Sequence, residues 1–517
     1  MSDEVSAEQK LYNERQAKAK QLAELGVNPY GNGYSPDSTA ADLLAKFNGV
    51  EAATLEADKP GPYSLAGRVV SVRDFGKAAF VVLQDRTGSL QVHVKKDALG
   101  EETFKVWKLV DLADFIGVKG TLFKSKTGEL TLAATELKFL GKALRPLPGK
   151  FSKGEDEAAK AWAEKQALSD VEERYRRRYV DLLSNPSVRE TFKKRTKLVQ
   201  FIRSYLDGRD FLEVETPMMH SLVSGAAARP FKTHHNALDI PLFMRIAPEL
   251  HLKRLVVGGF DRVYEINRNF RNEGISTRHN PEFTMLEFYQ AYATYEDLMD
   301  LTEDMISQAA IAVTGSSVVK YGEHTIDFKK GWPRIPMTEA IRGKVQDLGE
   351  GDFGDVAKLR AVANRKADEK EKAAIATMNC GELIGLLFEQ YVEGELIQPT
   401  FITQFPVETS PLARRNDRNP AITDRFELFC VGREIANAFS ELNDPVDQAQ
   451  RFQAQLDAKD RGQQETMDYD QDYIRALEHG LPPTAGEGIG IDRLAMLLTD
   501  AQSIRDVILF PLLKPQQ

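Results

Sequence analysis

Two short runs, "RVYEINRNF" (Arg262–Phe270) and "FTMLEFYQ" (Phe283–Gln290), change side-chain character at every second residue, the period of a β-strand. Paired antiparallel, they make a hairpin with Tyr264, Ile266 and Phe270 on one face and Arg271 and Glu273 on the other. On the return strand Phe283, Glu287 and Tyr289 lie opposite Leu286 and Phe288. Matching the faces predicts one surface that holds Arg271, Glu273, Phe283, Glu287 and Tyr289. A ring beside carboxylates and an arginine suits a binding surface, although an ordinary half-solvated sheet carries the same pattern. The stretch "FRNEGISTRHNPEFT" between them gathers two arginines, a histidine and two glutamates, a concentration that folding alone does not require.

Two further segments carry chemistry. In "GEGIGIDRLAMLL", Gly486, Gly488 and Gly490 fall at every second position, so a strand there presents a bare stripe that a flat ligand can approach. Leu494, Leu497 and Leu498 then take helical spacing, with Arg493 in the first turn. The spacing is not GxGxxG, and GxxxxGK[ST] does not occur, which disfavours dinucleotide-fold and P-loop nucleotide binding. In "RFELFCVGREIANAFSELND" Glu427, Glu434 and Glu441 recur every seven residues around Asn437. Such carboxylates suit a hard cation, above all Mg²⁺ brought on nucleotide phosphates, or an ammonium group; a charged amphipathic surface would look alike. Glu249, between apolar residues in "RIAPELHLKR", reads as buried and in need of a cationic partner.

The 517 residues imply two or three domains. Glu8–Leu25 predicts a helix stopped at Gly26, within an N-terminal extension over 1–62. From Tyr63 to Leu147 the period is two, broken by Gly76 and "DRTG", which predicts a five-stranded barrel of the OB kind. Its strand at Leu90–Lys95 sets Gln91, His93 and Lys95 opposite Leu90, Val92 and Val94, and Phe80 near Arg73 is either core or a base-stacking platform. The Pro- and Gly-bearing "LRPLPGK" opens a link over 148–173. The large domain, 174–517, mixes helices (Ser187–Leu206, Tyr295–Ala312) with strands, so the class is α+β.

The net charge of −9 argues weakly against nucleic acid, yet "RYRRRY" (Arg174–Tyr179) is a local basic patch or a solvated helix start. The acidic, polar start and the lack of a long apolar run predict a cytoplasmic protein without a membrane span. Two distant cysteines, Cys380 and Cys430, predict neither a disulfide framework nor a cysteine zinc site.

Together the segments resemble the three signature motifs of class II aminoacyl-tRNA synthetases: "GRDFLEVETPMM" (Gly208–Met219), "FRNE…RHNPEFTMLEFY" and "GEGIGIDRL". With an OB-like domain in front they resemble the subclass that charges Lys, Asp and Asn. Within it, "GVNPYG", "LRPLPGKF", "RYRRRYVDL", "GAAARPFKTHHN", "RIAPELHLKRL" and "SELNDPVDQAQRF" are similar to bacterial-type lysyl-tRNA synthetases. The resemblance implies an antiparallel catalytic sheet flanked by helices, a homodimer through Gly208–Met219, and ATP, L-lysine and tRNA(Lys) as substrates. It implies catalytic roles for Arg271, Arg493 and Glu434. ATP contacts would come from Arg271, Glu273, His279, Asn280, Phe283 and Arg493, with Glu427 and Glu434 holding Mg²⁺. Lysine would be read by Gly225, Glu249, Glu287, Tyr289, Asn437 and Glu441, and anticodon bases by Arg73, Phe80, Gln91 and Glu136. The stretch Ser152–Ala167 is longer and more acidic than the family's usual link. The alternatives are an aspartyl- or asparaginyl-tRNA synthetase, a ligase that places lysine on a protein, and a non-catalytic RNA-binding paralogue. An acidic pocket and an intact barrel speak against the first two, and Arg271, Glu434 and Arg493 against the third.

Overall fold

A computed structural model describes residues 7–146, 170–226, 228–460 and 466–516 of the chain. They divide into two units, Met1–Asn185 and Pro186–Gln517.

In the first unit, strands Tyr63–Asp74, Ala78–Gln84, Ser89–Lys95, Phe115–Lys124 and Leu130–Gly141 close into a barrel in the order first, second, third, fifth, fourth. The third and fifth strands run parallel and the other neighbours antiparallel. Alternation decides which side chains fill it: Val69, Val81, Val92, Ile116 and Leu132 are buried inside. Closure needs glycine at Gly120, where a Cβ would overlap the carbonyl of Ala133 on the neighbouring strand. The N-terminal helices Ala7–Glu24, Ala40–Phe47 and Ala52–Asp58 bury Leu22, Leu43 and Leu55 in the same core, so the helical extension is built onto the barrel.

The basic run is a structural element. Arg178 is buried and donates to Asp181 at 2.7 Å, Arg174 donates to the same carboxylate at 2.9 Å, and Arg176 and Arg177 pair with Glu172 and Glu173. Helices Val171–Arg176 and Arg178–Ser184 fall in the first compact unit, which ends at Asn185. The expected link lies almost wholly outside the described residues, as does Ser152–Ala167.

The second unit is built on eight strands in the order Arg334–Pro336, Thr400–Thr403, Arg425–Phe429, Glu434–Ser440, Thr484–Gly490, Glu282–Ala291, Arg262–Phe270 and Leu212–Glu213. Only the outermost pair at each end is parallel. Helices Pro186–Asp207, Tyr295–Thr314 and Ile491–Thr499 cover one face, packing Leu198, Ile202, Leu298, Met305 and Leu494 on Tyr264, Leu286, Phe288 and Ile489. The opposite face is left for chemistry. At Gly208–Met219 the helix ends at Asp207 and the strand is only Leu212–Glu213, with Leu212 and Met219 exposed.

Among the described residues no helix is long and apolar enough to cross a membrane.

Candidate active site

Strand register assembles the site. Glu287 pairs with Gly488, Gly488 with Asn437, and Asn437 with Glu427, so these four residues form one row across four strands. The next row is Tyr289, Gly486, Phe439 and Arg425. Residues directly opposite share a face, so both rows look away from the helix-covered core. The glycines form the floor of the resulting concavity. A Cβ on Gly486 would overlap Glu441 and Tyr289, and one on Gly488 would lie 3.2 Å from the Met285 methyl. The cavity is lined by Gly225, Glu249, Arg271, Glu273, His279, Asn280, Phe283, Glu287, Tyr289, Glu434, Asn437 and Arg493. Of the catalytic-unit site residues expected from sequence, only Glu427 and Glu441 are absent from that wall.

At one end the groups suit a nucleotide. The hairpin strand stops at Phe270, so Arg271 and Glu273 sit on the loop past it and not on the strand, although Arg271 N still donates to Pro281 O at 2.9 Å. The Arg271 guanidinium lies 5.2 Å from the Phe283 ring centroid, and its buried Nε has no hydrogen-bond partner. Arg493 donates to the Glu434 carbonyl at 2.6 Å and to its carboxylate at 3.2 Å. Next to it, Asp492 accepts from Thr284 N at 2.7 Å and pairs with Arg195 at 2.7 Å, which locks the helix to the return strand. The Asn280 amide is engaged by the loop itself, donating to Glu282 O at 2.6 Å and accepting from Leu512 N at 3.3 Å. His279 shares a proton with Ser276 Oγ at 3.1 Å, and burial, then Arg493, holds its imidazole below the usual range.

The other end is acidic. Glu249 opens the helix Glu249–Val257 and presents its carboxylate to the cavity. Burial pushes Glu287 up to about 8, with Glu249 adding to the shift and Arg245 opposing it. Glu441 is buried behind Tyr289 and Gly486, where burial raises it well above the carboxylate range. Lys253, one helical turn after Glu249, bridges the two acids, with Nζ at 2.6 Å from Glu249 Oε1 and in contact with Glu441. Burial disfavours its charge, but the two carboxylates outweigh that and hold the ammonium above its ordinary value. Gly225 closes the pocket at φ +87, where a Cβ would also lie 3.1 Å from Ala247 O.

Glu427 and Glu434 face a second cavity, which shares Arg278, His279, Glu434 and Arg493 with the first. Arg425 donates to Glu427 at 2.5 Å and to Asn437 at 3.0 Å. Burial, moderated by that arginine, pushes Glu427 up to about 7. Among the described residues no three His, Cys, Asp or Glu side chains gather into a metal cage. Two carboxylates beside a phosphate site nevertheless fit Mg²⁺, which takes few protein ligands and completes its shell with phosphate and water oxygens.

A family model described as tRNA synthetases class II (D, K and N) matches residues 170–514, and one described as an OB-fold nucleic acid binding domain matches 63–140. The chain is 53% identical to a lysine–tRNA ligase of Anaeromyxobacter dehalogenans, with 99% of each chain covered. It is 52% identical to one from Thioalkalivibrio sulfidiphilus, covering 98% of each, and 49% identical to one from Staphylococcus epidermidis, covering 99% of this chain and 100% of that relative. The chain belongs to the lysine–tRNA ligase family of class II synthetases.

The synthetase's barrel carries a platform of its own. Phe80 lies on the outer face between Ala79 and Val81, which point inside, so it is not a core residue. Its ring stacks on His93 at 4.7 Å, meets Phe75 edge-on at 6.3 Å, and has the Arg73 guanidinium 5.9 Å away. Gln91 is buried, donating to Glu129 at 2.5 Å and accepting from Thr131 at 2.9 Å, while Glu129 reaches Arg73 at 3.9 Å. Glu129 thus joins Gln91 to Arg73, whose guanidinium lies over the Phe80 ring. Glu136 stands apart, exposed beside Lys119 at 3.7 Å. Sequence reasoning missed Glu129, and it missed Lys253, whose signal was the i, i+4 spacing from Glu249.

The Glu287 carboxyl makes a pH prediction. Its folded value lies above its unfolded one, so its contribution is full below about pH 4.5 and is lost as pH rises through about 8. Without ligands, urea unfolding should show Glu287→Gln gaining on the wild type between pH 5 and 9, by roughly 2–4 kcal/mol in all. A difference that does not change with pH would contradict the placement of Glu287.

Proposed function

We propose that the protein is a lysine–tRNA ligase, which activates L-lysine with ATP to lysyl-adenylate and pyrophosphate and then passes the lysyl group to the 3′-terminal adenosine of tRNA(Lys). The observation that carries the reading is that Glu249 and Glu287 line one end of a cavity, with Glu441 behind them against Lys253, while the other end holds Arg271, Phe283 and Arg493. Buried carboxylates select an ammonium side chain and reject a neutral or anionic one. An aspartate side chain would need a free cation here, and the one lysine present is taken by two carboxylates.

ATP lies over the glycine strand with adenine on Phe283, Arg271 at the α-phosphate and Arg493 toward the γ-phosphate. Glu273, His279 and Asn280 shape that pocket; Tyr289 and Asn437 add hydrogen bonds to lysine, and Gly225 leaves room for its backbone. Glu427 and Glu434 would hold Mg²⁺, which would supply positive charge to the phosphates. The lysine carboxylate is already an anion, so no general base is needed: its oxygen attacks the α-phosphorus in line, and the α–β bridging bond breaks to release pyrophosphate. Arg271 stabilises charge that develops on the α-phosphate. The 3′-hydroxyl of the terminal ribose then attacks the acyl carbon, the acyl–phosphate anhydride bond breaks, and AMP departs with the hydroxyl proton taken up by its phosphate.

Arg73, Phe80, Gln91 and Glu136 are proposed to read anticodon bases, with Phe80 as the stacking ring. A homodimer through Gly208–Met219 is supported by the exposure of Leu212 (46%) and Met219 (56%). The activity carries a cytoplasmic setting with it.

ATP–pyrophosphate exchange assayed with all twenty amino acids separately should be lysine-dependent; a preference for aspartate or asparagine, or no exchange, overturns the proposal. For the barrel, Phe80→Ala should lower kcat/KM for tRNA charging by about 10- to 100-fold, the worth of one stacked base, and leave exchange unchanged. Equal losses in both assays would remove Phe80 from the anticodon site.

A further inference from the structure

The acidic end of the cavity contains one group that the reaction does not use. Lys253 is fully buried, although an isolated ammonium in such a place would be costly. Its Nζ lies 2.6 Å from Glu249 Oε1 and against Glu441 Oε2, with the rings of Phe439 and Tyr473 at 5.4 and 6.0 Å. Among the described residues neither buried oxygen of Glu441 has a hydrogen-bond partner, and only Oε2 is in ion-pair contact with Lys253. Glu287 has no cation in contact; its one hydrogen bond is from Asn269 at 3.4 Å. With all three buried carboxyls ionised, one buried ammonium leaves two negative charges. A substrate with two ammonium groups, its carboxylate met by Arg271, cancels them.

We propose that Lys253 is a positioning residue of the amino-acid site: held between Glu249 and Glu441, it is the internal cation that opposes the effect of burial on both carboxyls and fixes their orientation beside the cavity. This rests on the reading of the cavity as a lysine site. A built-in counterion avoids the alternative in which an empty pocket takes up protons on every carboxyl and each lysine must displace them. It also fixes direction, because Glu441 Oε2 is drawn back against Lys253 while Oε1 lies under the floor at Gly486. The other charged or titratable groups that face the set are Arg245 and Glu265 toward Glu287, Arg425 toward Glu249, and Tyr289 and Tyr473 beside Glu441.

The test is proton release from the wild-type, full-length enzyme. Lysine is titrated into it calorimetrically at pH 7 in two buffers of different ionisation enthalpy. Release of no more than about one proton per lysine is expected, because Lys253 already opposes protonation of Glu249 and Glu441. Release of two or more overturns this inference alone, and an enzyme that binds no lysine overturns the substrate reading along with it. As a second readout, Lys253→Met should raise the lysine KM in pyrophosphate exchange at least about tenfold at pH 7, with the ATP KM changed less than about twofold. That penalty should shrink toward pH 9 as the carboxyls ionise unaided, and Lys253→Arg should recover most of the loss. Lysine and ATP KM rising together, or a lysine penalty independent of pH, would make Lys253 merely structural. If Lys253→Met does not fold, the wild-type titration decides.

Discussion

Burying carboxylates is costly, and the catalytic unit does so at Glu249, Glu287 and Glu441 within one cavity. A carboxylate out of water is stable only beside a cation or in its neutral form. Lys253 supplies the cation for Glu249 and Glu441, and burial leaves Glu287 protonated near neutral pH. The empty pocket is therefore held short of positive charge. Much of the surrounding architecture maintains that condition: the glycine strand gives the acids room, Tyr289 and Phe439 flank its floor, and Gly225 closes it without a side chain.

The nucleotide end is fixed by different means. Asp492 ties the start of the helix Ile491–Thr499 to Thr284 and Arg195, so that Arg493 is aimed across the sheet at Glu434 and the phosphate region. The hairpin loop is fastened at several backbone points, among them Arg271 N to Pro281 O and Ile504 N to Thr277 O. Both ends share the strands Glu282–Ala291 and Thr484–Gly490, on which Phe283 and Glu287 are four residues apart. In the proposed reaction that common support would hold the amino-acid carboxylate and the α-phosphate in register, which is what an in-line attack without a general base depends on.

Much of this was legible in the sequence because period-two alternation is a direct record of which side faces a core. It placed Leu286 and Phe288 inside and Glu287 and Tyr289 on the chemical face, and it set His93 apart from Val92 and Val94 on the barrel. Phe80 was undecided until the barrel closed, since a ring on a strand carries no mark of its face. Register across non-adjacent strands was also invisible: that Gly488 sits between Glu287 and Asn437, and that Glu441 retreats behind Gly486, depends on how distant segments pair. The run Arg174–Arg178 shows the opposite failure, a cluster read by its charge whose partners Glu172, Glu173 and Asp181 lay within a few residues. Lys253 was passed over because a lysine on a helix is ordinarily a solvated one.

The central claim is that the pocket reads charge and not length. Comparing kcat/KM in pyrophosphate exchange for lysine and for 6-hydroxynorleucine, which keeps the chain and replaces the terminal ammonium with a neutral hydroxyl, tests it most directly. The account predicts a preference for lysine of at least about a thousandfold, because the neutral analogue leaves the buried acids uncompensated. A ratio near ten, the scale of a mere fit to size, would contradict it.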